Sequence, residues 1–301
     1  MRFDDRARAW IEAELGPDCK VIGARRLRGG VSSVVHDVTI ERMGRRSHVV
    51  LRRVPLDDEV PDHDPVAEVA TEVAVLARLG GRAMAPRVLA VDQDGAVCGA
   101  PSVVQTRLPG RVTVAPKHRQ AWVEGLAAAV NEVHDLDDAG ADLDPFEPWL
   151  SDTVLPAPIW SRAPAAWVEL HEELLRSLPP GGTPRLVHRD LHPGNVLFHR
   201  GKLSGIVDWT NPRRGPVEVD VSRCRVEVAI LAGIDAADAA DAFLTACRPL
   251  VPGYDRRWDA LVALELAPWV DDLVEFNRVG ASLTPESIQH VCDELVIAAA
   301  G

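Results

Sequence analysis

The spacing of apolar residues divides the first part of the chain into short helices and strands. Helical spacing of apolar side chains over residues 4–15 predicts a first helix. Apolar runs rich in valine and isoleucine then predict strands at 21–27, 33–40 and 47–54. The spacing of the turns between these runs indicates an antiparallel meander.

A second helix and two more strands follow the meander. Asp64 is a favourable N-cap and Pro65 suits the first helical turn, so this pair predicts a helix start. The apolar stripe behind them stops at Gly80-Gly81, which is typical of a helix end. Strand-like runs come next, at 87–92 and 100–108. This order predicts one compact lobe.

The whole chain is therefore expected to have two lobes. We expect an N-terminal lobe over 1–105, a hinge at 106–110 and a C-terminal lobe over 111–301. The second lobe is expected to be mostly helical, because amphipathic stretches dominate it. These stretches lie at 116–136, 164–177, 222–250 and 255–279.

Two short apolar runs within the second lobe, 196–199 and 202–209, predict a hairpin. Asn195 and Asp208 are almost equally far from its turn, so the hairpin brings them to the same open end. Asp190 lies just upstream at that end. One carboxamide and two carboxylates suit Mg²⁺, which prefers oxygen ligands and keeps several waters.

The segment HRDLHPGNVL at 188–197, followed by IVDW at 206–209, resembles the catalytic loop and metal-binding aspartate of the aminoglycoside phosphotransferase-like kinases. The spacing H-x-D-x-x-x-x-N with a later aspartate carries the resemblance. These antibiotic and small-metabolite kinases have a protein-kinase-like fold. The resemblance implies an α+β, two-lobed chain, with an N-terminal antiparallel sheet and one helix. It also implies a mostly helical C-terminal lobe that contains the catalytic-loop hairpin.

The resemblance also implies roles for individual residues. Asp190 would be the catalytic base, and His188 would brace the catalytic loop. Asn195 and Asp208 would bind Mg²⁺. Asp220 lies in a second stretch that resembles the family, and its implied role is structural support of the catalytic loop.

The letters His-Arg-Asp-Leu at 188–191 also match the protein-kinase signature. Asp-Trp-Thr in place of Asp-Phe-Gly, no later Ala-Pro-Glu, and His-Pro-Gly at 192–194 favour the small-molecule branch. The family usually has glycine at the position of Arg189, where a guanidinium could lower the basicity of Asp190 or contact a phosphate. For His192, as for the histidine that begins the motif, a purely architectural role is the alternative.

The resemblance assigns nucleotide binding to the N-terminal lobe. Gly29, Gly30 and Ser32 lie in the turn between the first two predicted strands, where glycines let the backbone approach phosphates. Neither the P-loop pattern nor G-x-G-x-x-G is present, so the position of this turn supports the assignment more than its letters. A simple hairpin turn is the alternative.

Arg52, on the third predicted strand, takes the place where kinases of this fold normally have a phosphate-binding lysine. A guanidinium binds phosphate bidentately and is not equivalent to an ammonium group. Glu72 fits the expected ion-pair partner on the following helix, and Glu68 is the alternative one turn earlier. Gln105 and Arg107 lie where the chain resembles the inter-lobe hinge that binds adenine through its backbone.

Charge is distributed unevenly along the chain. There are 33 Lys and Arg against 45 Asp and Glu, for a formal net charge of −12. Residues 1–105 carry 15 basic and 16 acidic side chains, and residues 106–301 carry 18 and 29. Because an acidic surface repels phosphate backbones, we expect no nucleic-acid partner. Asp271, Asp272 and Glu275 cluster on a predicted helix and could bind a cationic acceptor; a solvated face is the alternative.

Cysteine spacing and hydropathy indicate the compartment. The five cysteines are scattered and form no CxxC pair, so we expect neither a disulfide framework nor a zinc site. No apolar stretch approaches the roughly 18–20 residues of a membrane span. The start MRFDDRARAW lacks the apolar core of a secretory signal. We therefore expect a cytoplasmic protein without a membrane partner.

The motifs predict an ATP-dependent O-phosphotransferase that needs Mg²⁺ and modifies a hydroxyl group of a small molecule; GTP stays open as the donor. The expected acceptor is a cationic antibiotic such as an aminoglycoside or a macrolide. One alternative is a kinase of a small amino alcohol or sugar metabolite. The other is a nucleotide-binding module without turnover, which the unusual Arg52 and Arg189 motivate.

Overall fold

The computed structural model describes residues 1–27, 33–56, 64–82, 84–136, 142–232 and 237–301. The chain divides into two units, one made of residues 1–109 with 205–212 and the other of residues 110–204 with 213–301. No helix within the described ranges is both long and apolar enough to cross a membrane.

Strands dominate the first unit. Its elements are α1 (Asp5–Leu15), β1 (Cys19–Arg26), β2 (Val34–Arg42), β3 (Arg45–Arg53), α2 (Pro65–Leu79), β4 (Val88–Asp92) and β5 (Ser102–Thr106). The strands form one antiparallel sheet in the order β1-β2-β3-β5-β4. The observed order confirms the predicted meander, the helix that follows it and the two later strands.

The core of this unit lies between the sheet and α1. Buried and half-buried side chains alternate along β2, so one face of the strand enters the core. Trp10 and Ile11 of α1 belong to the same apolar cluster as Val38 and Leu51 of the sheet. Burial of this helix face explains why its apolar residues have helical spacing.

Helix α2 begins and ends at the signals in the sequence. The carboxylate of Asp64 accepts hydrogen bonds from the backbone N–H groups of Val66 and Ala67, both at 3.0 Å. Gly80 ends the helix in the left-handed region, with φ of 56°. These caps fix the start and end of the helix, and Glu68 and Glu72 lie on it between them.

Helices dominate the second unit. Its elements are β6 (Arg111–Val112), α3 (Arg119–His134), α4 (Pro164–Arg176), β7 (Arg185–Val187), β8 (Val196–His199), β9 (Lys202–Ile206), β10 (Arg213–Gly215), α5 (Glu218–Ala232), α6 (Ala237–Cys247), α7 (Arg257–Leu266), α8 (Val270–Leu273) and α9 (Pro285–Ala300). The predicted hairpin is formed by β8 and β9, which lie next to each other in a small sheet with β6. The end of β9 continues into the 205–212 segment of the first unit.

The helices after residue 222 differ from the predicted stretches. The stretch 222–250 contains two helices, α5 and α6, and 255–279 breaks into α7, α8 and short 3₁₀ turns. Pro268 lies at the break, where its missing N–H interrupts helical hydrogen bonding. Helix α9 was not predicted, although Thr284 and Ser287 form a capping box at its start.

Helix α5 is buried on all sides and carries charged side chains into the interior. Arg225 donates hydrogen bonds to Asp259 at 2.5 Å and to Asp241 at 2.8 Å. The hydroxyl group of Tyr254 donates to Asp259 at 2.6 Å. This cluster joins α5 to α6 and α7, and each buried charge has an opposite charge beside it.

We expect Arg225→Met to lower the free energy of unfolding of the second unit by about 3–5 kcal/mol. The substitution leaves the buried carboxylate of Asp259 without its cation. Urea unfolding followed by circular dichroism measures the change. Arg248→Met, at an exposed position after α6, is the matched control and should change stability by less than about 0.5 kcal/mol. Equal effects of the two substitutions would contradict the assignment.

Candidate active site

A single buried carboxylate holds the start of the predicted catalytic loop, which runs from the end of β7 to the start of β8. Asp220, in the first turn of α5, accepts hydrogen bonds from the backbone N–H groups of His188 at 2.9 Å and Arg189 at 2.8 Å. Nε2 of His134 lies 3.0 Å from the same carboxylate. All these groups are buried, so Asp220 gives the loop the structural support expected of it.

Two residues of the predicted site have left-handed backbone conformations that favour glycine. Arg189 has φ of 69° and Asp208 has φ of 68°. At Arg189 this conformation accompanies the two adjacent N–H groups that point at Asp220. The conformation gives a physical reason for glycine at this position in the resembling kinases.

The guanidinium of Arg189 packs against aromatic rings. Its central carbon lies 3.9 Å from the ring centre of Trp149 and 5.5 Å from that of Phe146. It also donates a hydrogen bond to the carbonyl oxygen of Glu147. Burial lowers the pKa of Arg189 to about 10. These contacts attach the 146–149 segment to the catalytic loop. They explain the position of the guanidinium without any contact to a phosphate.

The Asp190 carboxylate is contacted on both oxygens. Nη2 of Arg223 lies 3.0 Å from Oδ1 and Nε2 of His192 lies 3.6 Å from Oδ2. The amide nitrogen of Asn195 donates to Oδ2 at 3.2 Å and to the Asp190 carbonyl oxygen at 3.0 Å. Burial alone would raise the pKa of Asp190, but the cations of His192 and Arg223 hold it well below its usual range. The side chain is still 26% exposed, so an ionised carboxylate faces solvent.

Two residues of this cluster, Arg223 and Glu227, were not predicted from the sequence. Glu227 lies 3.0 Å from Nη2 of Arg223 and 2.8 Å from Nδ1 of His192, and its side chain is buried. Burial alone would lower the pKa of His192, but the carboxylates of Glu227 and Asp190 raise it to about 10. The spacing of four residues between Arg223 and Glu227 indicates a charged pair on one helix face, but the sequence does not show that this face is buried.

His188 is fully buried, so its side chain fits the bracing role and leaves contact with a substrate to its neighbours.

The predicted acceptor cluster lies on the segment of α8 and the turn after it. Asp271, Asp272 and Glu275 are all exposed, and Glu275 forms an ion pair with Arg278 at 2.5 Å. Next to them, the ring of Phe276 packs edge-on against His192 of the catalytic loop.

The acidic cluster and the catalytic loop are thus joined by one aromatic contact within the second unit. Ring centroids of Phe276 and His192 are 5.7 Å apart. Trp269, at the start of the same segment, is 58% exposed. The segment therefore presents carboxylates and an indole ring to solvent beside the loop that carries Asp190.

In the first unit, Arg52 pairs with both candidate glutamates. Nη1 of Arg52 donates to Glu72 at 2.9 Å, and Nη2 donates to Glu68. Gln105 donates to the other oxygen of Glu72 at 2.6 Å. Burial alone would lower the pKa of Arg52, but Glu72, Asp208 and Glu68 raise it. The sequence leaves the two glutamates as alternatives, and the structure brings both to Arg52.

Of the other predicted nucleotide-binding residues that the structure describes, Gln105 belongs to this cluster and Arg107 contacts other groups. Arg107 lies at the exit of β5, where Nε is 3.9 Å from Asp37 and Nη1 donates to the carbonyl oxygen of Leu108. Gln105 is buried and engaged with Glu72, so its side chain serves the ion-pair cluster. Gly29, Gly30 and Ser32 lie outside the described residues.

The predicted metal ligands are of the type that Mg²⁺ prefers. Asn195 uses its amide nitrogen to bind Asp190, so its oxygen is the atom it can offer to a cation. Asp208 is an exposed carboxylate. Among the described residues, no group of three or more His, Cys, Asp or Glu could hold a metal ion. An amide oxygen and a carboxylate are each a ligand type that Mg²⁺ accepts beside phosphates and water.

The sequence matches the phosphotransferase enzyme family (APH) over residues 23–258. The chain belongs to this family. The family comprises enzymes, so the predicted phosphotransferase class is confirmed. No curated protein sequence matches the chain.

Solved phosphotransferases share the fold along nearly the whole chain. A thermostable mutant of aminoglycoside phosphotransferase APH(4)-Ia, in complex with ADP and hygromycin B, is similar with a TM-score of 0.60 and 16% identity over 98% of this chain and 99% of its own. Amicoumacin kinase hAmiN has a TM-score of 0.63 and 14% identity over 99% of this chain and 93% of its own. A choline/ethanolamine kinase family protein from Mesorhizobium loti has a TM-score of 0.59 and 19% identity, over 98% and 92%. These similarities confirm the predicted α+β, protein-kinase-like fold class.

Arg189 gives this phosphotransferase a testable departure from the glycine of the resembling kinases. We expect Arg189→Gly to be more stable than Arg189→Ala by about 1–2 kcal/mol, because φ of 69° strains alanine but not glycine. Both variants lose the aromatic stack, so their difference isolates the backbone. Urea unfolding of the two variants measures it.

Glu124, exposed in the middle of α3, is the control position. There the order of stability should reverse. The free energy of unfolding of Glu124→Ala should exceed that of Glu124→Gly by about 1 kcal/mol, since glycine weakens a helix. The same order at both positions would mean that the Arg189 backbone is not left-handed in solution.

Proposed function

We propose that the protein is an ATP-dependent O-phosphotransferase that transfers the γ-phosphate to a hydroxyl group of a cationic small molecule. The observation that carries the proposal is the Asp190 carboxylate, which is ionised, contacted on both oxygens and still partly exposed. Family membership supplies the reaction class. Positioning and charge stabilisation provide most of the catalysis in phosphoryl transfer, and a fixed carboxylate suits both.

In the proposed reaction, Asp190 orients the acceptor hydroxyl and takes up its proton as the oxygen attacks the γ-phosphorus. The new oxygen–phosphorus bond forms in line with the bond to the departing ADP oxygen, which breaks. Mg²⁺, for which Asn195 and Asp208 would supply oxygen ligands, neutralises phosphate charge when it is bound. Because the cations around Asp190 make it a weak base, orientation of the hydroxyl is its larger contribution.

We assign nucleotide binding to residues 1–105, with the hinge at 106–110. Arg52, fixed by Glu68 and Glu72, would hold the phosphates, and we also assign Gly29, Gly30 and Ser32 to nucleotide binding. The near balance of basic and acidic side chains in this part of the chain does not oppose an anionic ligand. APH(4)-Ia and hAmiN, crystallised with ADP and AMP-PNP, support a nucleotide donor, and we take ATP ahead of GTP.

We assign acceptor binding to Asp271 and Asp272, with Glu275 as a weaker contributor because Arg278 already pairs with it. The cluster lies beside the catalytic loop and belongs to the acidic part of the chain, so it favours a cation. Hygromycin B and Ami, bound by the similar kinases, support an antibiotic acceptor such as an aminoglycoside or a macrolide.

A kinase of a small amino alcohol is the second candidate. The similar protein of the choline/ethanolamine kinase family favours it, and a quaternary or primary ammonium would suit the same acidic cluster and Trp269. A module without turnover is less well supported, because Asp190, Asn195 and Asp208 are all present.

The test is a mass-spectrometric screen for the gain of one phosphoryl group. It covers aminoglycosides, macrolides, tuberactinomycin-type peptides and choline-like metabolites, each with ATP and Mg²⁺. We expect one class to be modified, and we expect Asp190→Ala to lower kcat for it by about 10²–10⁴-fold. Calorimetric titration should show that the variant still binds ATP.

Asp152→Ala removes an exposed carboxylate of the same unit and should keep the wild-type kcat. Wild-type turnover by Asp190→Ala would show that Asp190 is not the catalytic carboxylate. ATP binding without any product across the panel would favour the module without turnover.

The acceptor assignment predicts a separate kinetic effect. We expect Asp271→Asn/Asp272→Asn to raise the KM for a cationic acceptor by about 3- to 10-fold and to leave the KM for ATP unchanged, since each exposed ion pair contributes up to about 1 kcal/mol. The increase should shrink at high salt. Asp152→Asn/Glu169→Gln removes two exposed charges elsewhere and is the control. Equal KM values for the two double variants would argue against this acceptor surface.

A further inference from the structure

Arg223 and Glu227 lie one turn apart on α5, on the side of the helix that faces the catalytic loop. Arg223 contacts Asp190 at 3.0 Å, and Glu227 contacts His192 at 2.8 Å. Both charged side chains are largely removed from solvent. Buried charges are costly unless they are paired, so each of these side chains needs an oppositely charged partner.

The four side chains form a closed ring in which charge alternates. Asp190 contacts Arg223, Arg223 contacts Glu227 at 3.0 Å, Glu227 contacts His192, and His192 returns to Asp190 at 3.6 Å. Each carboxylate has a cation on two sides, and each cation has two carboxylates. The formal charges of the ring therefore cancel when His192 is protonated.

This ring determines how the Asp190 carboxylate can turn. Arg223 contacts Oδ1, while His192 and Asn195 contact Oδ2. Rotation of the carboxylate would therefore break contacts at both oxygens. The cation that holds Oδ1 comes from a helix buried on all sides, which fixes its backbone. Glu227 in turn holds Arg223 and balances its charge.

We propose that Arg223, held by Glu227, is a positioning residue that sets the orientation of the Asp190 carboxylate toward the acceptor hydroxyl. The inference rests on the proposed function, because it assigns Arg223 an effect on phosphoryl transfer through Asp190. A misplaced catalytic group costs about 100-fold in rate. Arg223→Met should therefore lower kcat by about that factor and leave the KM for ATP within about 2-fold.

Two further variants separate positioning from folding. Arg223→Met/Glu227→Met replaces the buried pair by apolar side chains of similar length, which buried pairs often tolerate, so the protein should fold and still lose kcat. Arg223→Lys keeps a cation but replaces the guanidinium with an ammonium group on a shorter side chain, so it should recover part of the lost rate.

The closing experiment is a pair of double-mutant cycles on the full chain, with Asp190→Asn and Arg223→Met made singly and together. In the kinetic cycle, Arg223→Met should lower kcat about 100-fold in the wild type and less than about 2-fold in the Asp190→Asn background. In the unfolding cycle, Arg223→Met should shift the urea midpoint by different amounts in the two backgrounds.

Arg225→Met is the matched control, because Arg225 is a buried arginine of the same helix that pairs away from Asp190. Its shift in the urea midpoint should be the same in both backgrounds, and its kcat should be unchanged. Equal effects of Arg223→Met in both backgrounds, in kcat and in midpoint, would overturn the inference.

A failure of the proposed function gives a different result. The wild-type protein would then yield no phosphorylated product from any acceptor in the panel. The unfolding cycle still tests the contact between Asp190 and Arg223 in that case, since coupled midpoints support the contact and additive midpoints overturn it.

Discussion

Charged side chains on the buried helix α5 hold the catalytic loop, because a charge removed from water needs a partner in the interior. Asp220 accepts hydrogen bonds from the two N–H groups at the start of the loop, and Arg223 pairs with the carboxylate of Asp190. Glu227, one turn further along the helix, pairs with His192. The spacing of three and then four residues places all three on one side of the helix. One helix face thus determines the loop from its first residue to its fifth.

The backbone conformation of the loop also depends on the carboxylate of Asp220. Because Asp220 accepts from two consecutive N–H groups, Arg189 is held in a left-handed conformation that is unfavourable for a side chain. The stack of its guanidinium on Trp149 and Phe146 offsets part of that strain. The same stack attaches the 146–149 segment to the loop, which a glycine could not do. A departure that suggested altered chemistry at Asp190 is therefore explained by packing.

The sequence was sufficient where a local pattern determined the structure. The cap at Asp64, the hairpin after Asn195 and the meander of the first unit all follow from neighbours along the chain. Arg223 and Glu227 could not be placed in the same way, since Asp190 and His192 are more than 30 residues away in the sequence. Without the fold, charges on a helix indicate a solvated face. Burial of α5 on all sides is a tertiary property that reverses this interpretation.

The arginine at position 52 follows from geometry of the same kind. Its planar fork places one terminal nitrogen on Glu72 and the other on Glu68, whereas a lysine would have only one nitrogen for the two carboxylates. Gln105 then occupies the second oxygen of Glu72. Asp208 acts electrostatically on both Arg52 and Glu72, so one cation faces three carboxylates in this part of the first unit. Because these carboxylates outnumber the arginine, the cluster would bind the phosphates of the proposed nucleotide better together with a divalent cation than alone.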